Sequence, residues 1–227
     1  MKSELDNKLC QNYPKIFRDR NAGPGESCMH WGFECGDGWY DIIDHLCYAA
    51  THTWTTSIEI DEEDAKKLLI KKNGYNGCYY LEIPAPTMVA AQVKEKFGTL
   101  RFYYDLELEP NIQELYKSGK YPDLTKVVER YQSFFDGIVH MAESMSSRTC
   151  EESGKVGELH VSNGGFGGWY KTLNEEVAKT NILFSERNYV PRRTVNHDEG
   201  IVDLNEKSEQ LWFGHTQFTD SIQNRFW

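Results

Sequence analysis

The chain has 227 residues, 13% of them aromatic, and a formal charge of −10 from 25 basic and 35 acidic side chains. That length supports one substantial core with or without an appendage, and the aromatic content excludes a disordered chain. A mean hydropathy of −0.64 and short apolar runs exclude a membrane-spanning helix, while the negative field works against non-specific binding to phosphate backbones.

The first 17 residues, MKSELDNKLCQNYPKIF, scatter charges through the segment and carry no apolar stretch, so no secretory signal is expected and the compartment of synthesis, the cytoplasm, is the expected location. In that setting Cys10, Cys28, Cys35, Cys47, Cys78 and Cys150 are expected as free thiols. NAGPGES ends the opening segment as a loop. Asp37, between Gly36 and Gly38, is placed to cap a helix beginning near Trp39, with Trp39, Ile42, Ile43, Leu46 and Ala50 on one face. DEEDAKKLLIKKNG predicts a second helix, led by acids, closed by lysines and stopped at Asn73-Gly74.

The next segment is the most strand-like. Val89, Ala91, Val93, Glu95 and Phe97 alternate, then Leu100, Phe102 and Tyr104, predicting a hairpin near residues 89–106 that turns at Phe97-Gly98-Thr99; AAQVKEK by itself also tolerates a helix. NIQELYKSGKYPDLTK reads as a polar connection with a helical turn. A long helix is predicted near residues 123–147, burying Val127, Tyr131, Phe134, Phe135, Ile138, Met141 and Met145. GGFGG is a loop, and GWYKTLNEEVAKT a short amphipathic helix with Trp169, Leu173 and Val177 on one side. The fold class is therefore α+β: a small antiparallel sheet packed by helices, in a core over residues 1–180. Residues 181–227 form an aromatic extension whose Leu211, Trp212, Phe213, Phe218, Phe226 and Trp227 are buried either on the same chain or on a second molecule.

Candidate chemistry is sparse. Cys28, His30, Cys35, His45 and Cys47 are of metal-binding type, but their spacing matches no zinc knuckle, and His45 and Cys47 point to different faces of a helix. GFECGDGW lacks the context of a dinucleotide fingerprint, SNGGFGGW lacks the lysine of a phosphate loop, and EIDEED suits a solvated helix start. No cofactor or metal is expected. Lys94, Lys96, Arg101 and Tyr103, interleaved with Phe97, Phe102 and Tyr104, suit either a stacking platform for nucleic acid or nucleotide, or a half-buried hairpin with a basic outer and an aromatic inner face. A nucleotide hydrolase with unassigned acids remains a third possibility.

The strings QVKEKFGTLRFYY (Gln92 to Tyr104), WGFECGDGWYDII (Trp31 to Ile43) and TCEESG with the later GWYKTL resemble an uncharacterised family of bacteriophages and prophages, over roughly residues 10 to 177. The resemblance implies a treble-clef-like zinc knuckle over residues 149–177, built from a Cys pair after the long helix and a Cys/His pair in the following helix. Only Cys150 of those four is present; Ser153, Asn174 and Val177 stand at the others. The implied segment is a degenerate knuckle, held by packing around Trp169 and Leu173 in place of an ion. The resemblance, the missing ligands and the aromatic extension together lead to the expectation of a non-enzymatic phage accessory protein in the host cytoplasm that binds a host protein, most concretely an inhibitor of antiviral defence. Leu211, Trp212, Phe213, Phe226 and Trp227 are the expected anchors, for a host partner or for self-association.

Overall fold

The computed structural model describes residues 1–162, 169–180 and 190–191. They belong to a compact unit, Met1–Pro191; residues 192–227 lie outside the described residues. Helix α1 (Ser3–Asn12) is followed by short 3-10 turns and a two-residue strand β1 (Phe33–Glu34), then α2 (Tyr40–Thr51), β2 (Thr56–Ile60), α3 (Glu62–Lys67), β3 (Tyr79–Ile83), β4 (Thr87–Lys96) and β5 (Thr99–Glu107). Next come α4 (Pro110–Ser118), the 25-residue α5 (Pro122–Ser146), β6 (Glu158–Val161), β7 (Tyr170–Leu173), α6 (Glu175–Thr180) and β8 (Val190–Pro191). The fold is α+β, with three small sheets in the orders β1-β4-β5, β2-β3 and β7-β6-β8. All pairings are antiparallel except β1 with β4.

Helix α2 forms where its apolar spacing predicts, and Trp39, Ile42, Ile43, Leu46 and Ala50 are all buried. Asp37 does not cap it. Its Oδ1 accepts the backbone N–H of Lys2 at 2.7 Å and its carboxylate pairs with Lys2 Nζ at 3.0 Å, tying the chain start to the loop before α2. Helix α3 is shorter than its sequence pattern and ends well before Asn73-Gly74. Leu69 takes a left-handed φ of 58°, and the Ile70 N–H reaches Ala65 O at 2.8 Å while that of Leu69 reaches Lys66 O at 3.3 Å. This is a Schellman closure with leucine where glycine is usual. Asn73 instead organises the separate turn before β3, accepting the Gly77 N–H at 2.9 Å.

The hairpin β4–β5 pairs Lys96 with Thr99, so its loop is only Phe97-Gly98. Both loop residues have positive φ, 55° and 78°, the type I′ geometry that matches strand twist. A bulge between Ala90 and Gln92 breaks the simple alternation expected for β4, so Met88, Val89 and Ala90 are buried in succession. The polar connection after β5 contains a full nine-residue helix, α4, started by Pro110 and ended by Gly119 at φ 65°.

Helix α5 lies along β5 and buries Leu124, Val127, Tyr131, Phe135, Val139, Ala142 and Ser146. The expected stripe is correct in its first half and shifts in its second: Met141 and Met145 stand 63% and 50% exposed. The cause is β5, an outer strand whose amides need acceptors. Ser146 Oγ takes the Leu100 N–H at 2.8 Å and Glu143 Oε1 that of Phe102 at 3.3 Å, which turns the methionines outward. Tyr131 anchors the centre, its hydroxyl donating to Ile83 O and Trp54 O, each at 2.9 Å. Fully buried side chains such as Phe135, Trp39 and Leu100 each contribute on the order of 2 kcal/mol by leaving water. The segment expected as one helix after GGFGG is a strand, β7, followed by the short α6; Trp169 is 72% exposed and packs no core.

Candidate functional site

The segment after α5 folds as a tight knuckle. Cys150 N–H donates to Lys155 O at 2.7 Å, Gly154 N–H returns to Cys150 O at 2.9 Å, and the Ser153 amide donates to Cys150 Sγ at 3.4 Å. Gly154 supplies the left-handed corner at φ 71°. The Cys150 side chain, fully buried, packs with Leu173, Ala178 and the partly buried Val177. Asn174 caps α6, its Oδ1 accepting the amides of Glu176 and Val177 at 3.1 Å. A zinc centre at positions 150, 153, 174 and 177 does not fit: one thiol faces apolar neighbours and a capping amide. Among the described residues no group of three His, Cys, Asp or Glu side chains is placed to hold a metal ion. Leu173 packs there as expected; Trp169 does not.

The knuckle docks where the other two sequence strings meet. From CGDGW, Trp39 Nε1 donates to Thr149 O at 2.8 Å, Gly38 N to Glu151 O at 2.7 Å, and Gly36 N to Glu151 Oε1 at 3.0 Å. A Cβ at Gly36 would run into Glu151 O, and one at Gly38 into Cys150 O and the Gly154 amide. From KEKFGTL, Gly98 O accepts the Thr172 hydroxyl at 2.6 Å, and a Cβ there would overlap a Leu159 methyl. Gly36 and Gly38 thus permit backbone-to-backbone approach of a module from a distant part of the chain, and Gly98 leaves room for one of its side chains.

The charges at this junction are bound to one another. Glu151 is buried; its Oε2 accepts no hydrogen bond, and its compensation is Coulombic, from Lys171 Nζ at 3.3 Å. Glu95 Oε1 accepts the Gly98 amide at 2.5 Å, yet burial raises its carboxyl above the usual range, with Glu151 adding to the effect. The Met1 ammonium donates to Phe33 O at 3.1 Å and to Cys35 O. Burial pushes the Cys35 thiol up to about 12, so it is protonated and a poor nucleophile at neutral pH.

The remaining metal-type residues are dispersed. Cys47 is buried on α2, Cys28 is exposed, and His45 Nδ1 is engaged by Asp41 O at 2.6 Å. The acids of EIDEED serve the fold. Asp61 caps α3, and Asp64 Oδ2 receives Lys120 Nζ and the Tyr121 hydroxyl, each at 2.7 Å; these hold its carboxyl down to about 2.

Strand register brings the four basic-strip residues onto one outer face. Lys94 lies opposite Arg101, Gln92 opposite Tyr103 and Lys96 opposite Thr99. Val93 and Phe102 form a buried inner pair. Lys94 Nζ sits 5.5 Å from the Tyr103 ring centre and Lys96 Nζ 5.4 Å from that of Phe97. Arg101 differs from the lysines. Its side chain is 18% exposed and folds back on its own strand, donating to Thr99 Oγ1 at 2.6 Å and Leu100 O at 2.7 Å, with Glu143 at 4.0 Å. Phe97 at the tip, 52% exposed, meets Tyr170 edge-on at 6.0 Å between ring centres. In the sequence Phe97 stands both at the turn and among the aromatics of the candidate strip; the signal for its exposed place is an aromatic at the first position of a two-residue loop. The expected anchors Leu211, Trp212, Phe213, Phe226 and Trp227 lie outside the described residues, as does GGFGG. No helix among the described residues is long and apolar enough to cross a membrane. No family model matches the chain, and neither a curated protein nor a solved structure matches it.

Proposed function

We propose that the chain is a non-enzymatic phage accessory protein that binds a host protein in the host cytoplasm, in its most concrete form an inhibitor of an antiviral defence system. The observation that carries this reading is a contrast. Polar groups of the three motif strings are spent on docking the knuckle, whereas Trp31 and Trp169 stand 64% and 72% exposed. Tryptophans left in water on an acidic body are typical anchors of protein interfaces. In the same reading residues 149–177 are a zinc knuckle that has exchanged its ion for apolar packing, and Leu211, Trp212, Phe213, Phe226 and Trp227 supply further anchors, for a host protein or a second copy. Removing residues 205–227 should abolish partner binding and leave the melting of the remaining chain intact. Unchanged binding refutes the assignment of the anchors.

A second reading, binding of nucleic acid or nucleotide, draws on Lys94, Lys96, Arg101 and Tyr103 sharing one face. It requires a salt-dependent shift of single-stranded DNA that disappears in Lys94→Glu with Lys96→Glu.

A further inference from the structure

The tip and outer face of the β4–β5 hairpin combine two features that folding does not explain. Phe97 occupies a left-handed position, φ 55°, where asparagine before glycine is the favoured choice and a bulky side chain costs about 1 kcal/mol or more. Its ring is 52% exposed, and within the fold it meets the Tyr170 ring edge-on and the Lys96 ammonium 5.4 Å from its centre. Beside it, neither Lys94 nor Lys96 has an ion pair among the described residues, although acids outnumber bases by 35 to 25 in the chain. Glu34, which lies opposite Lys94 on β1, is turned to Gln92 Nε2 at 3.1 Å.

We propose that this surface, Phe97 with Tyr170, Lys94, Lys96 and Tyr103, docks an extended acidic segment of a partner protein carrying an apolar side chain for Phe97. The assignment rests on the protein-binding reading above. Lys94 and Lys96 are two residues apart on one strand face, about 6.8 Å. An extended peptide with acids at alternate positions presents the same repeat, so both ammonium groups are matched in register. Phe97 supplies the desolvated anchor, and the Tyr103 ring beneath Lys94 holds that cation on the face. Single-stranded nucleic acid fits less well. Two phosphate contacts give a salt slope of only about −1.4, small for a strand binder, while the net charge of −10 opposes either anion alike, so the two probes decide between them.

The test is fluorescence anisotropy on the full chain with two labelled probes: a decapeptide with glutamate at alternate positions and one central leucine, and an oligothymidylate of ten nucleotides. The peptide should bind, and binding should weaken at least tenfold in Lys94→Glu with Lys96→Glu and in Phe97→Asn. Because asparagine suits the turn, Phe97→Asn should melt no lower than the parent chain, which separates lost contact from lost fold. Preferential binding of the oligothymidylate, binding of neither probe, or peptide binding equal in parent and variants overturns the proposal. If a host partner is bound equally by the parent and by Phe97→Asn, this surface is wrong while the protein-binding reading stands. If the parent chain binds no host protein, that reading itself falls.

Discussion

His160 is the clearest case of a single side chain whose chemistry is set by its surroundings. It is buried in β6, and burial pushes its imidazole down to about 4 from an ordinary 6.5. The unfolded chain therefore takes up this proton near pH 6.5 and the folded chain only near pH 4. Between those values the unfolded state binds more protons, so stability falls as the pH drops through the window and levels off below it. Urea titrations at pH 7, 5.5 and 4 should show this loss, and His160→Gln should flatten that part of the profile. An unchanged slope in the variant would place the pH dependence elsewhere. Individual roles of this kind were largely illegible in the sequence. Asp37 has the composition of a helix cap, but an amide and an ammonium from Lys2 are nearer than the helix start. Trp169 has the composition of a core residue, yet Tyr170–Leu173 adopts strand geometry, and Trp169 stands outside it.

Secondary elements were more legible, because they rest on repeats instead of single contacts. The hairpin, α2 and α5 stand where their periodicities place them, though a bulge breaks the alternation of β4, and the α+β class follows from them. Where the pattern misled, a polar requirement overrode it: the amides of β5 recruit Ser146 and Glu143 and so rotate the exposed methionines out of the core. The glycines of CGDGW were visible as a motif, but their purpose was not, since it depends on residues more than a hundred positions away. Gly38→Ala places a methyl against two backbone groups that cannot yield, Cys150 O and the Gly154 amide. Overpacking of that kind costs about 1–3 kcal/mol, and it should appear as faster amide exchange across residues 149–161 and a lowered melting temperature. Gly137→Ala, mid-helix with nothing within 4 Å of the added carbon, is the control and should be neutral or stabilising. Equal effects from the two substitutions would mean that the knuckle is not seated on the glycine loop.

Taken together, the chain joins distant strings through backbone contact: a loop of closely spaced glycines, a hairpin tip, and a knuckle seated on both. The chain carries a net charge of −10, which opposes non-specific contact with phosphate backbones, while aromatic rings and two lysines without ion pairs among the described residues remain outside. This arrangement depends on Cys150, Leu173, Val177 and Ala178 packing as an apolar cluster. Thermal melting of freshly isolated protein, with and without a strong zinc chelator, addresses that dependence directly. Apolar packing predicts superimposable curves. A melting temperature lowered by the chelator would show that an ion holds the knuckle, and would contradict the account.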